Sequence, residues 1–188
     1  MDALLTTFIA AALAEFGDKT QLLVAALTIA YRRPPPIILG LALAALASAL
    51  IAAAGGVIVH DMITLRASAL LVALALLFAG ATGLLRAGPP APVKPGRMPA
   101  FLVAAICLFA AEMGDKTQFL TAALAARFDS FALAAAGGTA GVIAANIPAA
   151  LLADRYAELV PLRAARTVIG GLFLLFGAIV AIGALRLA

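Results

Sequence analysis

Six apolar stretches, each long enough to cross a bilayer, leave this chain little choice of architecture. They run approximately over Ala3–Tyr31, Pro36–Val59, Ala67–Leu85, Pro99–Ala126, Phe131–Ala153 and Ala164–Leu187. A helix needs about 20 consecutive apolar residues to traverse the hydrocarbon core. Lipid offers backbone N–H and C=O groups no partner, so each stretch is expected to satisfy its own as a helix. The composition agrees: 65% of the 188 residues are hydrophobic and 12% are charged, where a soluble domain has about half and about a quarter. The expected fold is an all-α integral membrane protein with six transmembrane helices and the lipid bilayer as its medium. The net charge of +4 comes from basic residues scattered at the ends of apolar stretches. They form no cluster with interleaved aromatics, which excludes nucleic acid as a partner. Cys107 is the only cysteine, so no intrachain disulfide forms. Met1–Ala14 ends in a small-residue "ALA" that resembles a signal-peptidase site, but it lacks Lys and Arg and carries Asp2. We therefore read it as the start of the first span.

Charge interrupts the first and fourth stretches at their centres, as "EFGDKTQ" at 15–21 and "EMGDKTQ" at 112–118. The offset of 97 between Glu15 and Glu112 also pairs Gly40 with Gly137, Arg66 with Arg163 and Gly80 with Gly177, and sets Asp61 on Glu158. The chain thus reads as a first three-helix repeat at 1–86, a Pro- and Gly-rich basic linker at 87–98 and a second repeat at 99–188. Three spans per half is an odd number, so the halves enter the membrane from opposite sides. Such inverted repeats are common in secondary transporters, whose sites lie near the midplane between repeats. One side holds Arg32, Arg33, Arg86, Lys94, Arg97, Arg155, Arg163 and Arg166, and the other only Arg66, Arg127 and Arg186. The positive-inside rule makes the richer side cytoplasmic and leaves both termini outside.

In a continuous helix, Glu15 and Asp18 lie three residues apart on one face, as do Glu112 and Asp115. A charge at the bilayer centre costs at least about 2.5–3.5 kcal/mol on insertion scales, so it persists where it pairs, faces a cavity or serves a function. Four carboxylates converging from two repeat-related helices form an oxygen-rich cage of the kind that hard divalent cations favour. Gln21 and Gln118, one turn on, add neutral oxygens, and Thr20 and Thr117 either add hydroxyls or bond their own backbone. With Lys19 and Lys116 the two motifs sum to a formal charge that one divalent cation balances. Each lysine either pairs within its helix or crosses to the other motif and ties the repeats together. Gly17 and Gly114 permit close helix contact or mark local unwinding.

Asn146, near Pro148 in the fifth span, and Ser48 are further lining candidates. Asn146 has Ala49 as its mate at the same offset, so its role is not symmetric; it either lines the site or satisfies backbone groups freed by Pro148. Cys107 and Met113 read as packing, His60 as an interfacial residue beside Asp61, and Asp154, Arg155 and Glu158 as a solvated loop.

Twin E-x-G-D-K-T motifs, one per three-helix half, resemble the GDT family of small six-helix cation/proton exchangers, whose bacterial members look like manganese exporters. The resemblance covers the whole chain and implies Glu15, Asp18, Glu112 and Asp115 as the cation site. It implies a transporter in the bacterial inner membrane, without enzymatic activity or resident cofactor, that exports Mn²⁺ or Ca²⁺ in exchange for protons by alternating access. A homo-oligomer is compatible with such a chain. Three other functions are set against it. An exporter of basic amino acids would need room for a bulky solute. An intramembrane aspartyl protease would need G-x-G-D, whereas these words are "EFGD" and "EMGD". A passive channel would not respond to a pH gradient.

Overall fold

A computed structural model describes residues 1–85, 93 and 95–186. Among them it is all helical: α1 (Asp2–Glu15), α2 (Lys19–Tyr31), α3 (Pro34–His60), α4 (Leu65–Leu84), α5 (Ala100–Glu112), α6 (Lys116–Phe128), α7 (Phe131–Leu152), a 3-10 turn (Ala153–Arg155), α8 (Tyr156–Leu159) and α9 (Leu162–Arg186). Four helical segments among the described residues are long and apolar enough to cross a membrane: Pro34–His60, Leu65–Leu84, Phe131–Leu159 and Leu162–Leu185. The linker expected at 87–98 lies largely outside the described residues.

The expected continuous helices over Ala3–Tyr31 and Pro99–Ala126 are both broken at their motifs. Phe16 is extended, Gly17 has φ +78° and Asp18 is extended as the N-cap of α2. Met113, Gly114 (φ +75°) and Asp115 repeat the same sequence of conformations. Glycine supplies the left-handed step that an L side chain resists. The turn is closed by the Asp18 N–H donating to the Glu15 carbonyl and the Asp115 N–H to the Glu112 carbonyl, each at 3.1 Å. Glu15 and Asp18 therefore do not share a helix face. Glu15 ends one half-helix and Asp18 begins the next.

Packing follows the same offset. Gly40 on α3 presses on the Phe101 carbonyl, Ala104 and Ala105 of α5, and a Cβ there would have no room. Gly137 on α7 presses in the same way on the Leu4 carbonyl, Thr7 and Phe8 of α1. Each of these four positions in one half is the mate of its counterpart in the other. Helices α4 and α9 pack on each other through Gly80, Gly170 and Gly177, a small-residue contact typical of membrane helices. The Arg66 guanidinium donates to the Ala184 carbonyl at 3.1 Å, which joins the start of α4 to the end of α9. The halves part at the ends of α3 and α7. Helix α3 runs on to His60, whereas α7 stops at Ala153, whose φ is +38°. Its mate in α3 is Gly56, which lies against the Ala122 carbonyl where a Cβ would collide. Past the end of α7, Asp154, Arg155 and Glu158 are exposed as expected, while Tyr156 is buried.

Candidate functional site

The two helix breaks face each other, and nearly every polar group of one motif reaches the other. The Lys19 ammonium lies 3.0 Å from Asp115 Oδ1, and the Lys116 ammonium lies 2.8 Å from Asp18 Oδ1 and 3.6 Å from Asp115 Oδ2. The lysines therefore cross between motifs. The Thr117 hydroxyl donates to Glu15 Oε1 at 2.6 Å and the Thr20 hydroxyl to Glu112 Oε1 at 3.2 Å. The threonines bond neither their own backbone nor their own glutamate.

The glutamines hold the turns. Gln21 Oε1 accepts from the Gly17 N–H, and Gln118 Oε1 from the Gly114 N–H, both at 2.8 Å. Their amide nitrogens reach the other half at equivalent positions: Gln21 donates to the Ala145 carbonyl at 2.6 Å and Gln118 to the Ser48 hydroxyl at 3.3 Å. Ser48 thus touches Gln118 and no carboxylate among the described contacts. With their oxygens engaged by backbone, the glutamines shape the break rather than present free ligand atoms.

Neither N-cap aspartate bonds its own helix end through its side chain, although N-cap aspartates usually do. Asp18 Oδ2 and Asp115 Oδ2 are buried without a hydrogen-bond partner. One carboxylate oxygen each from Glu15, Asp18 and Asp115 lies within 4.8 Å of the others. Glu112 is 1% exposed and lies outside that 4.8 Å group, so three of the four expected carboxylates converge at that distance. Glu15 is wholly buried and also accepts from Asn146 Nδ2 at 3.2 Å. The N-termini of α2 and α6, which carry partial positive charge, favour the negative charge of their N-cap residues Asp18 and Asp115.

The free space beside the two motifs is unequal. A cavity of about 680 Å³ lies between α3, α4 and α6, walled by Ile51, Leu74, Phe78 and Phe119 and reaching Asp115 and Gln118. A Cβ at Gly114 would meet nothing within 4 Å. Around Asp18 the space shrinks to about 10 Å³, enclosed by Phe16, Lys116, Arg166 and Phe173. A Cβ at Gly17 would lie 3.0 Å from the Leu162 carbonyl and 3.2 Å from Arg166 Cβ. Correspondingly the Lys19 side chain is 50% exposed and that of Lys116 only 6%.

Sequence reasoning missed Arg166, taken only as a cytoplasmic charge; its mate at the repeat offset is Ala69, so no symmetry signal pointed to it. His60 is read differently too: Nδ1 lies 2.6 Å from the Ala126 carbonyl and Nε2 3.8 Å from Asp129 Oδ2, so it joins α3 to the end of α6. Cys107 is exposed, and the Met113 sulfur accepts from Gln118 Nε2 at 3.4 Å.

A sequence profile of the family described as "Divalent cation/proton antiporter GDT1" matches residues 3–90 and 100–187. The chain belongs to this family. It is also 36% identical over 176 residues to a Vibrio cholerae serotype O1 protein named "Putative manganese exporter", an alignment covering 93% of this chain and 88% of that protein. No solved structure matches. Membership makes this GDT1-family chain a membrane transport protein of the cation antiporter class, and family and relative both point to transport rather than to an enzyme.

Proposed function

We propose that this protein is a secondary transporter of the bacterial inner membrane that exports Mn²⁺, or Ca²⁺, from the cytoplasm in exchange for protons. It is built as six spans in two inverted three-helix repeats, about 1–86 and 99–188, with both termini outside. The two profile matches and the paired glycine contacts at Gly40 and Gly137 support the repeat. The observation that carries the function is the mid-span meeting of two broken helices, where Glu15, Asp18 and Asp115 converge and both aspartates keep a buried, unbonded oxygen. Broken helices meeting at a repeat interface are the usual setting of transporter ion sites.

The working cycle follows from charge. In the empty site, close carboxylates in a low-dielectric interior disfavour full ionisation even beside Lys19 and Lys116. A divalent cation favours the ionised form, so loading expels protons. Proton-loaded and cation-loaded sites can each be carried across, and the bare polyanionic site cannot, which makes the exchange obligatory. The cavity beside Asp115 is the open path in this conformation, and the packing of Leu162 and Arg166 on Gly17 is the closed gate. Exchanging these two states moves the cation. Reconstitution into liposomes with Mn²⁺, Ca²⁺ and Mg²⁺ compared under an imposed pH gradient tests the reading. Flux of Mn²⁺ or Ca²⁺ driven by the gradient is expected. Flux indifferent to pH would make the protein a facilitator, and flux only of a basic amino acid would make it an organic-solute exporter.

A further inference from the structure

One half of the site carries a buried amide that the other half lacks. Asn146 on α7 is wholly buried, and its mate on α3 is Ala49. Its amide nitrogen donates to Glu15 Oε2 at 3.2 Å and to the Val142 carbonyl at 2.9 Å. The Val142 carbonyl can only accept, so chemistry dictates that the nitrogen end of the amide faces these partners. The other end, Oδ1, is buried without a partner.

Pro148 does not explain this residue. The carbonyl that a helical proline frees is four residues back, at Ala144, and Asn146 does not bond it. Packing does not explain it either, because burying an amide with its oxygen unpaired is unfavourable where an apolar side chain would fill the same space. What Asn146 does do is complete the hold on Glu15. With Thr117 on Oε1 and Asn146 on Oε2, both oxygens of that carboxylate are gripped by neutral donors from the opposite half. Glu112 has Thr20 as its one side-chain donor among the described contacts, and Ala49 offers none. The carboxylates are unequal in the same sense: within 4.8 Å, Glu15 groups with Asp18 and Asp115, and Glu112 does not.

We propose that Asn146 is a positioning residue that makes the cation site one-sided, selecting Glu15 and not Glu112 as the glutamate that shares a divalent cation with Asp18 and Asp115. This rests on the cation-transport reading above. The ligands come in symmetric pairs, but the site that uses them does not, because a single donor on α7 breaks the tie.

The test is Mn²⁺ binding to the purified full-length protein, by calorimetric titration, alongside Mn²⁺ flux in proteoliposomes and thermal unfolding in detergent. Asn146→Ala should weaken Mn²⁺ binding about tenfold, the lower end of what loss of a ligand-orienting partner costs. Asn146→Leu keeps about the same volume but cannot donate, so it should weaken binding at least as much. A residue that only packs would leave Asn146→Leu at wild-type affinity. Combined with Glu15→Gln, Asn146→Ala should add little to the loss from Glu15→Gln alone. Combined with Glu112→Gln it should add its full factor, since only contacting residues couple. Wild-type affinity in either single variant, or full additivity with Glu15→Gln, overturns the proposal. A wild-type protein that neither binds nor moves Mn²⁺ or Ca²⁺ would instead overturn the transport reading itself.

Discussion

Lys19 and Lys116 occupy the same place in the same motif, yet the structure gives them different tasks. Lys116 is almost wholly buried between two aspartates, 2.8 Å from one and 3.6 Å from the other, while Lys19 is half exposed and pairs with Asp115 alone. Removing one partner of a buried ion pair leaves an uncompensated charge and costs about 3–5 kcal/mol, whereas an exposed pair is worth about 0–1 kcal/mol. Lys116→Met is therefore expected to lower thermal stability in detergent clearly, and Lys19→Met to change it little while slowing transport. Equal stability losses in the two would show that the burial difference carries no energetic weight. The aspartates are the harsher test. Asp18→Asn or Asp115→Asn keeps the shape and removes the charge that a cation needs, so each should abolish Mn²⁺ flux with membrane insertion intact. Normal flux in both variants would end the idea that these residues hold the cation.

The helix break is the element on which the site is built, and its two copies offer a controlled comparison. Gly17 and Gly114 have nearly the same backbone conformation, φ +78° and +75°, so an alanine at either place carries the same left-handed strain, about 1 kcal/mol. They differ in surroundings: Gly17 is pressed by Leu162 and Arg166, and Gly114 is open. The extra loss from Gly17→Ala over Gly114→Ala isolates the closed contact. In the proposed cycle Gly17→Ala pries that gate and shifts the protein toward the opposite-facing state. Gly114→Ala, whose counterpart contact would form at Leu65 and Ala69, favours the state seen here. Solvent-accessibility labelling of a cysteine at Phe16, in a Cys107→Ser background, should rise in Gly17→Ala and not in Gly114→Ala. Matched labelling would place the gate elsewhere.

At the scale of the whole molecule, the proposed exchange ties cation affinity to pH with a definite sign. In that cycle cation binding releases protons, so acid opposes it. Apparent Mn²⁺ affinity should fall as pH drops, by about tenfold per pH unit for each proton released across the range where the site titrates. For the same reason cation held inside vesicles should leave faster when the opposite face is acidified. An affinity flat across pH would remove the coupling. The orientation belongs to this scale as well. A cysteine at position 2 is expected to react with an impermeant reagent from outside intact cells, and labelling from the cytoplasm alone would reverse the assignment.

The apolar helices and the recurring charged heptapeptide were legible in the sequence because each is written locally. Runs of apolar residues near bilayer length report helices, and a charged heptapeptide recurring at one offset reports a duplicated unit. "EFGDKTQ" even contained the glycine that breaks the helix; close contact and local unwinding were both open readings of it, and the left-handed turn at Gly17 decides for unwinding. Four things waited for the tertiary structure: the crossing of Lys19 to Asp115 and Lys116 to Asp18, the use of the glutamine oxygens to close the turns, the separation of Glu112 from the other carboxylates, and the pressing of Arg166 on Gly17. The reason is physical. An internal offset states which residues are equivalent, but two equivalent halves packed together occupy one conformation at a time. Which side is closed, and which glutamate is held, depends on contacts between distant segments such as Asn146 with Glu15 and Leu162 with Gly17. Those contacts join residues with no counterpart pattern in the chain, and only packing brings them together.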